Sequence, residues 1–247
     1  MSGQRVQLQP AFVLHRRPYR ETSWLLEVFS RDHGRIGLVA RAARQARPHS
    51  SMLEPARELL LSWSLRGELG LLGQAETASA APALEGETLL AILYLNELLL
   101  RLVTRHDPHP QLYEHYRAAV AALATGSVAV PLRRFERVLL QELGYGLNLE
   151  NDGNGEAIRA DARYEYRSGQ GFWPLRGQAA ELALEGATLI ALREDRLDEA
   201  QAFGEARQLL RLALRAHLGP RPLRTPELFR SLRRLRNPQA VNSESRS

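Results

Sequence analysis

Apolar side chains recur at every second position through much of the stretch between residues 10 and 80. Trp24, Leu26 and Val28 alternate with Ser23, Leu25 and Glu27, and Ile36, Leu38 and Ala40 alternate with Arg35, Gly37 and Arg41. Leu59, Leu61 and Trp63 form a third row, residues 69–75 a fourth, and residues 11–14 precede them all. Pro18, the Asp32-His33-Gly34 turn, the loop around Pro48 and Arg66-Gly67 separate the rows. A period of two between such breakers predicts half-buried antiparallel strands. Five strands in about 70 residues suit a small Greek-key barrel of the OB type.

Beyond an alanine-rich linker at 75–84 the period lengthens to that of a helix. Residues 88–104 are apolar on most faces, which predicts a buried central helix. A second helix is expected over 111–124, after Pro108 and Pro110. A third starts with Pro131 in its first turn and stops at Gly144, with Leu132, Phe135, Leu139 and Leu143 as its core face. A fourth runs from Asp198, a suitable N-cap, to Gly219-Pro220, and a short fifth follows Thr225-Pro226. Between the third and fourth, Arg163, Tyr164, Glu165, Tyr166 and Arg167 alternate, and 168–171 turns into Phe172-Trp173, which predicts one small hairpin. The fold class is therefore α+β. An OB barrel at 1–80 precedes a helical domain at 81–237, which carries an insertion at 148–176, and the tail 238–247 is expected to be disordered.

Composition narrows the chemistry. The chain has 247 residues, 44% hydrophobic and 25% charged, an ordinary globular balance. It has no cysteine, which removes disulfides, a thiol nucleophile, iron–sulfur clusters and thiolate zinc sites. All 33 basic residues are arginine, so a Walker A lysine and a Schiff-base lysine are excluded too. Residues 1–10 show no secretory signal, and the apolar run 89–103 is interrupted by Asn96, Glu97 and Arg101, short of a membrane span. No membrane association is expected, and the expected location is cytoplasmic.

The candidates for catalysis are weak. Residues 152–163 resemble a calcium loop, but Ala157 stands where glycine is needed and Arg163 where glutamate is needed, so a plain turn is the reading. His106, His109 and His115 are close in sequence but lack a companion ligand cluster, and no metal or cofactor is expected. No nucleophile elbow, zinc-protease motif or paired-carboxylate arrangement occurs.

Charge is more informative. Net charge is +5 over residues 1–60, −8 over 61–206 and +8 over 207–247. Basic ends suit a polyanion partner, the alternative being solvated arginine throughout. Arg31, Arg35, Arg41, Arg44 and Arg47 share one short span with a single acid, Asp32. On an OB-type barrel such strand faces and loops hold single strands by phosphate contacts and stacking. Phe12, Tyr19, Trp24, Phe29 and Trp63 are the stacking candidates, although Trp24 and Trp63 alternate with core residues. Arg207, Arg211 and Arg215 recur every four residues along one helix face, and Arg221, Arg224, Arg230, Arg233, Arg234 and Arg236 follow. Arg133, Arg134 and Arg137 stand beside the apolar stripe of the third helix, an arrangement suited to an acidic, hydrophobic peptide.

Three stretches together carry a resemblance: AFVLHRRPYRETSWLLEVFSRDHGRIGLVARAAR at 11–44; LYLNELLLRLV at 93–103 with LRRFERVLLQELGYG at 132–146; and LGPRPLRTPELFR at 218–230. In order and spacing they resemble the RecO family of bacterial recombination mediators. The resemblance implies an OB domain, a helical domain and a small zinc-ribbon-like insertion. It implies binding of single- and double-stranded DNA, strand annealing and, with RecR, loading of RecA onto DNA coated by single-stranded DNA-binding protein. It further implies that the acidic C-terminal tail of that protein docks at the LRRFE motif. Arg133 is then the first candidate for the tail and Arg134 the second. One departure is the missing zinc cysteines, so the insertion is expected to be metal-free. The other is Arg41, where the family carries lysine. Two rivals stay open: an OB-fold adaptor without annealing activity, and a metal-dependent nuclease with scattered carboxylates.

Overall fold

The computed structural model describes residues 5–41, 52–80, 82, 84–177, 181–197 and 200–229. Two compact units are present, one of residues 1–128 with 223–247 and one of residues 129–222.

In the first unit β1 (Arg5–Tyr19), β2 (Ser23–Ser30), β3 (Gly34–Ala40), β4 (Glu58–Arg66) and β5 (Leu69–Thr77) close into a barrel of order β1-β2-β3-β5-β4. β3 and β5 pair in parallel, and with this closure the five strands form the OB barrel expected from the alternation. Val13, Leu26, Val28, Ile36, Leu38, Leu59, Leu61 and Trp63 fill its interior, joined by Leu53 from the loop before β4. β1 is far longer than residues 11–14, because its flanking positions are mixed polar residues that hide the alternation. It bends at two irregularities. At one of them Leu8 adopts φ 47° and its N–H donates to Ser62 Oγ at 3.0 Å.

The barrel's outer side is buried as well. Phe12 and Phe29 are cross-strand partners, and both rings meet Tyr113 (5.4 and 5.7 Å) and Tyr116 (4.9 and 6.3 Å). Those tyrosines lie on α2 (Pro110–Ala124), which follows α1 (Gly86–Leu102). Fully buried Asn96 of α1 ties the layers together: its Nδ2 donates to the Leu14 carbonyl at 2.9 Å, and its Oδ1 accepts from the Tyr116 hydroxyl at 2.6 Å. Gly34 shows why only glycine fits the β2–β3 turn. It has φ +66°, and a Cβ there would stand 2.1 Å from the Asp107 carbonyl oxygen. Residues 225–229 are helical, and their start is held by Glu97 of α1. The Glu97 carboxylate accepts from Arg224 N–H (2.8 Å), Thr225 N–H (2.9 Å) and Thr225 Oγ1 (2.7 Å).

The second unit contains α3 (Ala129–Glu142), β6 (Arg163–Arg167), β7 (Gly171–Pro174), β8 (Ala183–Glu185), α4 (Gly186–Arg193) and α5 (Ala200–His217). Pro131 sits in the first turn of α3, two residues inside its start, and Leu132, Phe135 and Leu139 are buried as expected. The single hairpin becomes a three-stranded sheet of order β7-β6-β8. β8 and α4 escape the sequence reading because three and eight residues are too short to display a period. Asp198, the expected N-cap of α5, lies outside the described residues, as does the tail 238–247.

Candidate nucleic-acid interface

One part of the outer barrel face is built by register. Arg17 pairs with Leu25, Leu25 with Val39, and Val39 with Leu71, so the four share one face across β1, β2, β3 and β5. Leu25 is buried, whereas Val39 and Leu71 are half-buried and form an apolar row open to solvent. Arginines rim this row. Arg17, Arg20 and Arg41 are exposed, and Arg41 directly follows Ala40, the partner of Trp24. Tyr19 closes the β1–β2 hairpin, with the Arg20 guanidinium 5.3 Å from its ring centre. Arg16 is directed to the barrel mouth, where it lies 5.0 Å over the Trp24 ring and pairs with Glu54 at 3.2 Å. Such a face offers phosphates several forked donors beside a surface that an unpaired base can lie on.

Arg17 and Arg20 are absent from the candidates read in the sequence. The signal was there in His15-Arg16-Arg17-Pro18-Tyr19-Arg20, a basic cluster around a turn. Of the residues chosen instead, Arg35 is turned inward. Its Nε donates to the Val103 carbonyl at 3.0 Å and its Nη1 lies 3.3 Å from Glu27, which Arg105 also reaches. Burial pushes its pKa down from the usual arginine value against the pull of Glu27. That guanidinium fastens the segment after α1 to the barrel and has little left to offer a phosphate. Arg31 is half-exposed and bound side-on to Asp32 at 3.1 and 3.2 Å, a contact that raises its pKa. Arg44 and Arg47 lie outside the described residues, as do Arg230, Arg233, Arg234 and Arg236. Among the stacking candidates, Phe12, Phe29 and Trp63 are fully enclosed, Phe12 and Phe29 by α2 and Trp63 by the barrel interior. They cannot stack on a base. Trp24 packs against the barrel core, which leaves Tyr19.

In the second unit Arg207, Arg211 and Arg215 are exposed in line along α5, about 6 Å apart in axial rise. None of the three forms an ion pair among the described residues. Leu209, Leu210, Ala213 and Leu214 bury the opposite side. Arg221 is exposed just past α5, but Arg224 belongs to the first unit, so the C-terminal stripe is divided between the two.

On α3 the two tail candidates separate. Arg133 is only 8% exposed and its Nη2 lies 2.8 Å from Glu136, which is fully buried. An incoming carboxylate must compete with Glu136 for it. Arg134 is exposed and reaches Asp195 at 2.6 Å.

The insertion is secured by its own hydrogen bonds. Asp152 Oδ1 accepts from Asn154 N–H (2.8 Å) and Glu156 N–H (3.1 Å), and Asn148 Oδ1 accepts from Glu150 and Asn151 N–H. Gly153 N–H donates to the Phe172 carbonyl at 2.6 Å, and a Cβ at Gly153 would fall 2.2 Å from the Trp173 ring. The donor set does not fit the family's zinc: no cysteine exists, and among the described residues no group of three His, Asp or Glu side chains is placed to hold a metal. Among the described residues no helix is long and apolar enough to cross a membrane.

Barrel closure and the helical second unit define an OB-barrel protein of the α+β class. Residues 4–81 match the family Recombination protein O N terminal, and residues 83–227 match Recombination protein O C terminal. The chain is 46% identical to the DNA repair protein RecO of Alkalilimnicola ehrlichii over 248 residues, covering 99% of this chain and 98% of that one. It is 46% identical to the DNA repair protein RecO of Methylococcus capsulatus over 230 residues (92% and 94%) and 42% to that of Ralstonia nicotianae over 245 (94% and 86%). The chain belongs to the RecO family of DNA repair proteins.

Proposed function

We propose that the protein is a non-enzymatic recombination mediator. It binds single- and double-stranded DNA, anneals complementary strands and, with RecR, helps to load RecA onto DNA coated by single-stranded DNA-binding protein. The observation that carries this reading is the outward barrel face, where the Leu25–Val39–Leu71 row is rimmed by Arg17, Arg20 and Arg41 with Tyr19 at its end. Guanidinium groups on that face neutralise phosphates, so two strands approach without their full repulsion. Arg31, Arg44 and Arg47 extend the surface in this reading, and Arg207, Arg211, Arg215, Arg221 and Arg224 supply a second one. Arg35 belongs to the barrel's own packing.

Annealing needs no hydrolysis, which agrees with a sequence that offers no nucleophile–base pair. No metal or cofactor enters this mechanism. The tail of single-stranded DNA-binding protein docks on α3, with exposed Arg134 as the nearer clamp for its carboxylates and Arg133 available only by exchange with Glu136. The site of action is the cytoplasmic nucleoid, where such DNA is found.

Labelled complementary strands incubated with Mg²⁺ and no nucleotide test the reading. Duplex formation supports it. Cleavage identifies a nuclease, and binding without annealing leaves an OB-fold adaptor; either result overturns the proposal.

A further inference from the structure

We infer that the two compact units read different features of nucleic acid: the barrel face of the first takes unpaired bases, and α5 of the second takes the phosphate backbone whether or not the bases are paired. The inference rests on the nucleic-acid reading above and divides it between two surfaces.

The chemistry of the two surfaces differs. On the barrel, the open part of the face is apolar: half-buried Val39 and Leu71, with the Tyr19 ring at the hairpin and the Arg20 guanidinium beside it. Arg17 and Arg41 stand at the rim of that row. Such a surface rewards the flat face of a base, which only an unpaired nucleotide can present, because a duplex buries its bases in the stack.

On α5 Arg207, Gln208, Arg211 and Arg215 are exposed, and Leu212 is half-buried beside them. The ring nearest this row is Phe203, half-buried one turn before Arg207, and the charges recur about every 6 Å. The stacked pair Tyr145–His217, with ring centres 3.7 Å apart, does not add another. His217 is two residues beyond Arg215, which turns it about 200° away from that arginine around the helix. Three exposed guanidiniums, with their one neighbouring ring half-buried at the end of the row, discriminate mainly by charge spacing, and charge is common to both strand forms.

The test uses the full chain and three labelled ligands: a single strand, an abasic single strand of equal length, and a duplex. Binding is followed by fluorescence anisotropy across a salt series. Wild-type protein is expected to prefer the base-bearing strand over the abasic one by on the order of tenfold. Tyr19→Ala and, independently, Leu71→Ser should shrink that preference while leaving duplex affinity within about twofold, and Tyr19→Phe should restore it. Arg207→Gln/Arg211→Gln/Arg215→Gln should weaken all three ligands together. It should also flatten the slope of log K against log salt by about 2 for single strands and about 2.7 for duplex.

Folding of each variant is checked by circular dichroism. Equal loss of duplex and single-strand binding in both barrel variants overturns the division and leaves DNA binding intact. So does a triple variant with unchanged slopes. Absence of binding to all three ligands by the wild-type chain instead overturns the nucleic-acid reading itself.

Discussion

Cutting the chain at residue 81, where the two family matches meet, should leave a barrel that cannot stand alone. Its outer wall is the reason. Phe12 and Phe29 are 1% and 0% exposed, and Tyr113 and Tyr116 of α2, which lie beyond the cut, cover them. An aromatic side chain buries roughly 150–250 Å², worth about 4–6 kcal/mol at ~25 cal/mol per Å². Two rings give about 8–12 kcal/mol, reduced by about a third because real unfolded chains already hide part of that area. The remaining 5–8 kcal/mol, approximately, compares with a total stability of about 5–15 kcal/mol for a whole domain. In the full chain part of this gain offsets the ordering of α1 and α2; in the fragment the covering is absent. Phe12, Leu14 and Phe29 would then face water as one apolar patch, and Leu14 would lose the donor that Asn96 supplies. Fragments 1–81 and 1–128 should be compared by urea unfolding, with Trp24 and Trp63 fluorescence reporting on the barrel, and by sedimentation. The expected result is an aggregating 1–81 fragment without a cooperative transition and a monomeric 1–128 fragment with one. A monomeric 1–81 fragment that unfolds at the same urea midpoint as the full chain would refute the reasoning.

Asn96→Leu should lower stability by roughly 2–4 kcal/mol, from the Leu14 carbonyl and Tyr116 hydroxyl contacts it removes; a shift in urea midpoint measures it. Arg35→Ala should destabilise the fold while leaving the salt dependence of DNA binding unchanged. Arg17→Ala/Arg41→Ala should do the reverse, flattening the single-strand slope by about 1.4. Burial pushes the phenols of Tyr113 and Tyr116 upward, Tyr113 with added repulsion from Glu58. Both stay protonated in the folded chain above the ordinary value of 10.0, where the unfolded chain ionises. Their contribution to stability is therefore complete below about pH 10 and is lost as pH rises beyond it. Urea midpoints across that range should fall less steeply in Tyr113→Phe/Tyr116→Phe. Arg134→Ala should weaken binding of an acidic tail peptide by roughly ten- to a hundredfold, from the loss of one charge-assisted hydrogen bond. Anisotropy with a labelled peptide reads this, and a larger loss with Arg133→Ala at unchanged stability would return the anchoring role to Arg133.

Local pattern determined the barrel strands, the helix faces of α3 and α5, the absence of lysine and cysteine chemistry, and the exposed arginine line on α5. Each of these is settled within a few residues of chain: alternation fixes which side of a strand is apolar, and a four-residue repeat fixes one side of a helix. Tertiary structure decided what the other side meets. Arg35 and Arg41 lie six residues apart in the same basic run, Arg35 at the start of β3 and Arg41 just past its end. The return of residues 103–107 beside β3 gives Arg35 the Val103 carbonyl and brings Arg105 to the Glu27 carboxylate that Arg35 reaches from β3 to β2, while Arg41 keeps its exposure. Phe12 and Phe29 sit at positions where a solvated barrel would carry polar residues, and their meaning rests on α2, about 100 residues from Phe12 along the chain. Arg133 and Arg134 are neighbours with opposite fates, because successive helix positions turn about 100° and the core lies on one side only. Burial is a property of two surfaces brought together, and a sequence displays one of them at a time.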